Sequence, residues 1–403
     1  MKYSVKSFIY LFLISCAIFN QSVESQSTYP VINKESGRPI INYYGPRDYK
    51  SEPQNLAILQ DARGIIYAGN NSGTILEFDG VSWRHITIPN KLPIESLAED
   101  EQGRIYVGGI KDFGFLKPDS NGSLYFQSLL NFVDEKDRNF TWVTPVIATA
   151  NGIYFQTKQN LFRWKNNRMK IWRANTFFTN SFCVYNNLYI QESQTGLMKL
   201  LGDSLVPVPG GEKFAKNEIQ VMLPYKSTGL TDINNQNQIN KLILIGTVSH
   251  GLFIFNGESI QPFNGAANGF IKRNGIRCAS VVNDSTYAVG SFQDGVIIFN
   301  LHGDITEIID RSSGLPSNIV YSIIPDKQGG IWLALQQGIA NLVSVQPAFT
   351  IYDKQNGLDG VVLALPAPVR YNGILYVSTT TGVYYLEQKQ NRFKIVSGLV
   401  GDF

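Results

Sequence analysis

The residues best suited to hold a ligand in this chain stand in seven short polar turns: Asn70-Asn71-Ser72, Lys158-Gln159-Asn160, Glu192-Ser193-Gln194, Val248-Ser249-His250, Phe292-Gln293-Asp294, Gln336-Gln337 and Thr379-Thr380-Thr381. Amides, hydroxyls and a few charges gathered on one face suit a polyhydroxylated or zwitterionic small molecule. Asn160, Gln194, His250, Gln293, Asp294 and Gln336 are the ligand-binding candidates. Solvated turns have the same composition, so each residue taken alone also reads as ordinary loop chemistry. A second candidate is the mouth formed by loops that enter the opening strand of each unit, such as Arg273-Asn274 and Ser312-Ser313.

Catalytic and metal chemistry have less to work with. His85, His250 and His302 are scattered, and none has a partner at strand or helix spacing, so no metal centre is expected. No cofactor motif stands out. Asp61, Asp100, Asp284 and Asp326 recur at one turn position, which side-chain-to-backbone bonding in turns explains. Acid/base catalysis needs two convergent titrating groups, and no such pair is marked, so the chain is not expected to be an enzyme. The alternative is an exported enzyme, a lyase or hydrolase acting on polysaccharide. His250 within hydrogen-bond reach of a second titrating side chain would favour it.

The elements that must position these turns come from a phrase repeated eight times. Its sharpest copy runs Gly314-Leu315-Pro316-Ser317-Asn318-Ile319-Val320-Tyr321-Ser322-Ile323-Ile324, then Asp326, Gly329-Gly330-Ile331-Trp332-Leu333-Ala334-Leu335 and Gly338-Ile339-Ala340-Asn341-Leu342. This is an apolar strand, an Asp/Gly turn, a second apolar strand, a polar turn and a third strand. The late turn glycines at 251, 295, 338 and 382 lie 44, 43 and 44 residues apart. A fourth, more polar run follows in each unit, for example Trp83–Ile88, Ile305–Ile309 and Phe349–Tyr352. Such a unit cannot bury its own faces and must lean on its neighbours. The period is too long for the rungs of a β-helix and too regular for a β-sandwich.

The expected fold is therefore all-β: a seven-bladed β-propeller of four-stranded antiparallel blades. The run Ile40-Ile41-Asn42-Tyr43-Tyr44 would serve as the outer strand of the last blade and close the ring. The last copy, Val361–Tyr385, would then start a second propeller or form an eighth blade. The expected boundaries are 1–25 for a signal peptide, 40–353 for the first propeller and 354–403 for the additional blade. The final Gly401-Asp402-Phe403 reads as the opening of a ninth unit, so the chain is expected to continue.

Lys2, Lys6 and the apolar run Phe8–Phe19 read as an export signal with cleavage after Ser25, which implies a periplasmic protein. Leu13-Ile14-Ser15-Cys16 also looks like a lipoprotein box, so a lipid anchor at Cys16 stays open, as does an uncleaved anchor. Cys183 and Cys278 fall in different units and read as unbridged, buried small apolar residues. A net charge of +3 over 403 residues is too weak to suggest nucleic acid. The tract Asp232–Asn240 reads as a solvated hairpin loop. Trp332, with Tyr67, Tyr106, Tyr154, Tyr189, Tyr287 and Tyr376 at equivalent places, could stack sugars, but their mid-strand position favours packing between blades.

The phrase Gly314–Asn318 with Asp326, Gly330-Ile331-Trp332 and Gly338 resembles the two-component regulator propeller repeat. The opening adds to the likeness, through Tyr44-Gly45-Pro46-Arg47-Asp48-Tyr49, Gln54–Ile58 and Phe78-Asp79-Gly80-Val81-Ser82-Trp83-Arg84. The copies over residues 143–254 carry only the skeleton. The resemblance implies the periplasmic sensor region of a hybrid histidine kinase or triple-tyrosine regulator of the Bacteroidetes type. Such a region binds a small molecule or oligosaccharide and drives an output module across the membrane, with a homodimer within its repertoire. Membrane contact would come only through the signal, a lipid anchor or a downstream span that this chain lacks.

Overall fold

The computed structural model describes residues 39–226, 241–345, 351–364, 367–387 and 392–400. The export segment with Cys16, the tract 232–240 and Phe349-Thr350 lie outside them. The chain divides into the units Met1–Pro30 and Val31–Phe403, and every described residue belongs to the second.

The described strands form eight four-stranded antiparallel sheets. Sheet one is Asn55–Gln60, Ile66–Asn70, Thr74–Phe78 and Trp83–Thr87, and sheet two is Ile94–Glu99, Ile105–Gly109, Phe113–Pro118 and Leu124–Ser128. Sheet three is Val146–Thr149, Gly152–Gln156, Asn160–Lys165 and Arg168–Arg173, and sheet four is Phe178–Val184, Asn187–Glu192, Gly196–Leu201 and Ser204–Pro207. Sheet five is Ile219–Tyr225, Leu242–Thr247, Gly251–Phe255 and Ile260–Pro262, and sheet six is Cys278–Asn283, Thr286–Gly290, Val296–Asn300 and Ile305–Ile309. Sheet seven takes Val320–Pro325, Ile331–Leu335 and Ile339–Leu342, and its fourth strand is Ile41–Tyr44 from the other end of the chain. Ile41 pairs with Leu342 and Tyr44 with Ile339. Sheet eight is Val369–Tyr371, Ile374–Thr379, Gly382–Glu387 and Arg392–Val400.

The repeated turns form for the expected reason. The Asp61 carboxylate accepts from the backbone N–H groups of Arg63 and Ile65, both at 2.9 Å, and Asp100 does the same for Gln102 and Arg104. Asp326 accepts from Gln328 N–H at 3.0 Å and also from the Trp332 indole N–H at 3.1 Å. Asp284 departs from the pattern. Asn283 takes the turn bond from Ser285 N–H, and Asp284 pairs instead with Lys226 at 2.6 Å.

Second strands such as Ile66–Asn70, Thr286–Gly290 and Ile331–Leu335 are buried at every residue. They read as unbroken apolar runs because a neighbouring sheet covers each of their faces. Each of the first six sheets packs on the next. Tyr67 and Ile75 meet Ile94 and Val107, Tyr106 and Phe113 meet Phe155, and Tyr154 meets Ile190. Tyr189 meets Ile245, Tyr225 stacks on Tyr287 at 6.2 Å, and Ala288 meets Val320. Trp332 and Ile339 of sheet seven then share a core with Ile58 and Leu76 of sheet one.

Close approach explains two glycines inside second strands. A Cβ on Gly69 would lie 2.8 Å from the Ile94 carbonyl of the next sheet, and one on Gly290 would lie 3.0 Å from Val320 Cβ. Where Gln stands instead, it bonds into the next sheet: Gln156 accepts from the Ser181 hydroxyl, and Gln191 donates to the carbonyls of Phe214 and Asn217.

The aromatic series packs between sheets. Tyr67, Tyr106, Tyr154, Tyr189, Tyr287 and Trp332 are all buried, while Tyr376 in sheet eight is half-buried. Sheet eight has its own core of Leu358, Val377, Tyr384, Leu386 and Phe393, which includes no residue of sheets one to seven.

Two expectations need correction. Arg273-Asn274 is not a loop, because it ends the helix Ala266–Asn274 that precedes sheet six. Cys183 is not buried but exposed near the end of its strand, and both described cysteines are free. Among the described residues, no helix is long and apolar enough to cross a membrane.

Candidate functional site at the strand-entry face

In an antiparallel sheet the turn between the second and third strands lies at the same end as the segment entering the first. The polar turns and the entry loops are therefore one face. Backbone bonds tie them together: Asn71 N–H donates to the Gln54 carbonyl at 3.0 Å, Ile110 to Pro93 at 3.1 Å, Ser193 to Phe177 at 2.9 Å, Val248 to Glu218 at 3.0 Å and Gln336 to Ile319 at 3.1 Å. Just beyond these clips, the pairing register shifts by one residue in five first strands. It skips Leu56, Glu95, Thr179, Gln220 and Tyr321. Such bulges re-aim a side chain out of the ladder.

The six sequence candidates fall unevenly on this face. Asn160 is buried at a strand start, where its N–H donates to the Thr157 hydroxyl at 2.9 Å and its amide nitrogen to the Asp137 carbonyl at 3.4 Å. Gln194, His250, Gln293, Asp294 and Gln336 are exposed on four separate turns. The His250 ring meets the Ser249 hydroxyl at 3.4 Å and its backbone N–H donates to the Thr247 hydroxyl at 3.1 Å, with no titrating side chain among the described residues in hydrogen-bond reach. Among the described residues, no group of three His, Cys, Asp or Glu could hold a metal ion.

A tighter constellation lies one step inward, at the entries of the first strands. The Arg277 guanidinium carbon sits 4.0 Å from the centre of the Tyr321 ring and 5.8 Å from that of Phe292. The Tyr321 hydroxyl accepts from the Gln54 amide nitrogen at 2.6 Å, linking sheet seven to sheet one. Burial pushes the Glu95 carboxyl above its usual range, and the opposing pull comes from the charge of Arg277. Glu218, although exposed at its rim, is raised by desolvation in the same way, with Lys158 pulling it down. Lys158 in turn lies 6.0 Å over the exposed ring of Phe177.

Glu95 is in sheet two and Arg277 enters sheet six, and these sheets share no core. Lys158 and Glu218 belong likewise to sheets three and five, which also share none. The sequence held a signal for these residues. Glu95 interrupts Ile94–Leu97 and Arg277 interrupts Ile276–Val282 with a charge, where the equivalent positions of other copies read Leu56, Thr179, Gln220 and Tyr321.

Successive four-stranded antiparallel sheets, each packed on the next in chain order, define a β-propeller protein. Within that class, residues 314–337 match the repeat described as Two component regulator propeller. The extracellular domain of the hybrid two-component system BT4673 from B. thetaiotaomicron is similar to the chain, with TM-score 0.55 and 16% identity over 87% of this chain and 46% of that one. A second structure of that domain, described as a one-component system, gives TM-score 0.54 and 15% identity over 89% and 54%. This chain thus spans about half the length of those domains. A streptogramin B lyase is also similar, with TM-score 0.56 and 11% identity over 75% and 97%. At these identities the likeness is one of fold. No curated protein sequence matches the chain.

Proposed function

We propose that this chain is the ligand-sensing propeller region of an extracytoplasmic two-component regulator, binding a small molecule or glycan at the strand-entry face. Its signal would cross the membrane through parts outside this chain. The observation that carries the reading is the half-buried Arg277 guanidinium at that face, 4.0 Å from the centre of the Tyr321 ring and without a counter-ion among the described residues. A scaffold has no use for desolvated charges without partners, whereas a binding site does.

In this reading sheets one to seven form a closed seven-bladed ring, with Ile41–Tyr44 as its clasp. The packing of Trp332 on the sheet-one core supports that closure. The eighth sheet opens a second unit. Tyr352 packs on the Phe393 ring at 5.2 Å, so we place the boundary between the two units before Ile351 instead of after residue 353. The chain is read as non-enzymatic, since the streptogramin B lyase brings fold alone and no second titrating group meets His250.

The test is isothermal titration of the full chain with neutral and charged saccharides and small metabolites, repeated with Arg277→Ala. The expected result is binding that the substitution removes. Binding that survives both Arg277→Ala and Glu95→Ala would overturn the assignment of the site.

A further inference from the structure

We propose that the Arg277 guanidinium, held over the Tyr321 ring, receives the carboxylate of a singly charged ligand at the strand-entry face. This deepens the proposed function and rests on it.

Four half-buried residues from three sheets build the spot. Arg277 stands at the entry of sheet six, where its backbone N–H donates to the Gly290 carbonyl at 2.9 Å. Tyr321 sits at a bulge in the first strand of sheet seven, since Val320 pairs with Leu335 and Ser322 with Ala334. The bulge turns its side chain out of the ladder. The centre of its ring lies 4.0 Å from the Arg277 guanidinium carbon. Gln54, at the entry of sheet one, fixes the far end of that ring by donating from its amide to the Tyr321 hydroxyl at 2.6 Å. Phe292, from the turn between the second and third strands of sheet six, flanks the guanidinium at 5.8 Å. Its ring packs so closely on Gly275 that a Cβ there would lie 2.6 Å from Phe292 Cδ2.

An aromatic face steadies the charge but uses none of the guanidinium N–H donors. Among the described residues, no oxygen accepts from those donors and no carboxylate pairs with them. A half-buried cation with idle donors bears a desolvation cost, which an incoming acceptor recovers.

Shape and charge select that acceptor. Two parallel N–H groups of a guanidinium match the two oxygens of a carboxylate, a match that a lysine ammonium cannot make. The contacts that build the spot bring one cation and no second. A doubly charged phosphate monoester would therefore keep an unbalanced charge, and a neutral ligand would cover the guanidinium without balancing it. With the fork already held over a ring, little freedom is lost when the two bonds form. Phe292 offers apolar contact to the carbon atoms that carry the carboxylate. Sugar acids and plain organic acids share this chemistry.

The experiment is isothermal titration of the full chain at neutral pH with D-glucuronate, D-galacturonate, acetate and benzoate. Each is compared with its uncharged counterpart: glucose, galactose, acetamide and benzamide. Inorganic phosphate and glycerol phosphate form a third panel. At least one carboxylate should bind, about tenfold or more tighter than its counterpart. A sugar acid ahead of acetate and benzoate identifies a saccharide source, and the reverse order identifies an organic acid. Arg277→Gln should abolish the preference for the acid, which a merely structural role would leave in place. Arg277→Lys keeps the charge without the fork and should weaken the acid about threefold or more. It replaces Arg277→Gln if thermal melting shows that variant unfolded. Tyr321→Leu removes the ring beneath the guanidinium and should weaken the acid as well.

Silence of all four acids overturns the inference, as does equal binding of acid and counterpart. Tighter binding of either phosphate than of every carboxylate does the same, and so does an acid preference untouched by the Arg277 and Tyr321 substitutions. If an uncharged ligand binds instead and depends on Arg277, the sensor reading stands without the inference. If every panel is silent, both lose their support.

Discussion

Tyr44 lies flat against Trp332, with ring centres 5.7 Å apart and planes 17° from parallel. The two rings come from opposite ends of the first seven sheets, and Phe78 of sheet one completes the group at 5.0 Å from Tyr44. The Trp332 indole N–H is spent on Asp326, so its ring is free to act as apolar filling. Removing it should open the seam: Trp332→Ala is expected to cost about 3–5 kcal/mol. Urea unfolding measures this, and a loss below about 1 kcal/mol would mean that the Ile41–Tyr44 strand is not seated on sheet seven in solution.

Two turn glycines should respond differently to the same change. Gly64 has φ +93° and nothing within 4 Å of an added Cβ, so Gly64→Ala should cost only the backbone penalty of about 1–2 kcal/mol. Gly295 has φ +73°, and its Cβ would lie 2.2 Å from the Ile309 carbonyl. Gly295→Ala should therefore cost about 1–3 kcal/mol more than Gly64→Ala. Equal losses in thermal melts would show that the sheet-six turn is looser than described.

The two described cysteines should separate by reactivity. Burial pushes the Cys278 thiol up to about 12, and Cys183 is exposed, though its thiol too is raised. Alkylation of the native protein at pH 8.5, read by peptide mass spectrometry, should mark Cys183 and spare Cys278 until denaturant is added. Early labelling of Cys278 would contradict its burial.

Glu95 should set a pH dependence of stability. Its carboxyl is raised in the folded chain by burial, so between its unfolded and folded values the folded state binds more protons. Stability from this group therefore falls as pH rises through that window, and the cost is fully present at neutral pH. Glu95→Gln should melt higher than the parent at pH 7, and the gap should close as pH drops below the usual carboxylate range. A Glu95→Gln variant that melts lower at pH 7 would show that Glu95 is satisfied within the fold. Gaining stability while losing ligand is the trade expected at a binding residue.

Much of the fold was legible because its causes are local. Asp61, Asp100 and Asp326 make the turn bonds their positions announce, and the N-terminal run Ile41–Tyr44 sits where an outer strand was missing. The helix Ala266–Asn274 was not legible. Its Asn268 and Gly269 are poor helix formers. Contacts made elsewhere hold it: Ala267 N–H donates to the Gly303 carbonyl, and the Asn268 side chain accepts from Leu252 N–H. The same holds for Asn160, whose polar character suggested a ligand and whose burial turned it inward to Asp137.

The residues alone determined the strands, their turns and the family repeat, because alternation, Asp and Gly act over a few neighbours along the chain. Only the tertiary structure decided the surroundings of the charges at the strand entries. Glu95 and Arg277 stand far apart in sequence, at the starts of two different sheets. The pairing of strands puts Glu95 at a bulge, and the packing of sheet seven beside sheet six sets Arg277 against the Tyr321 ring.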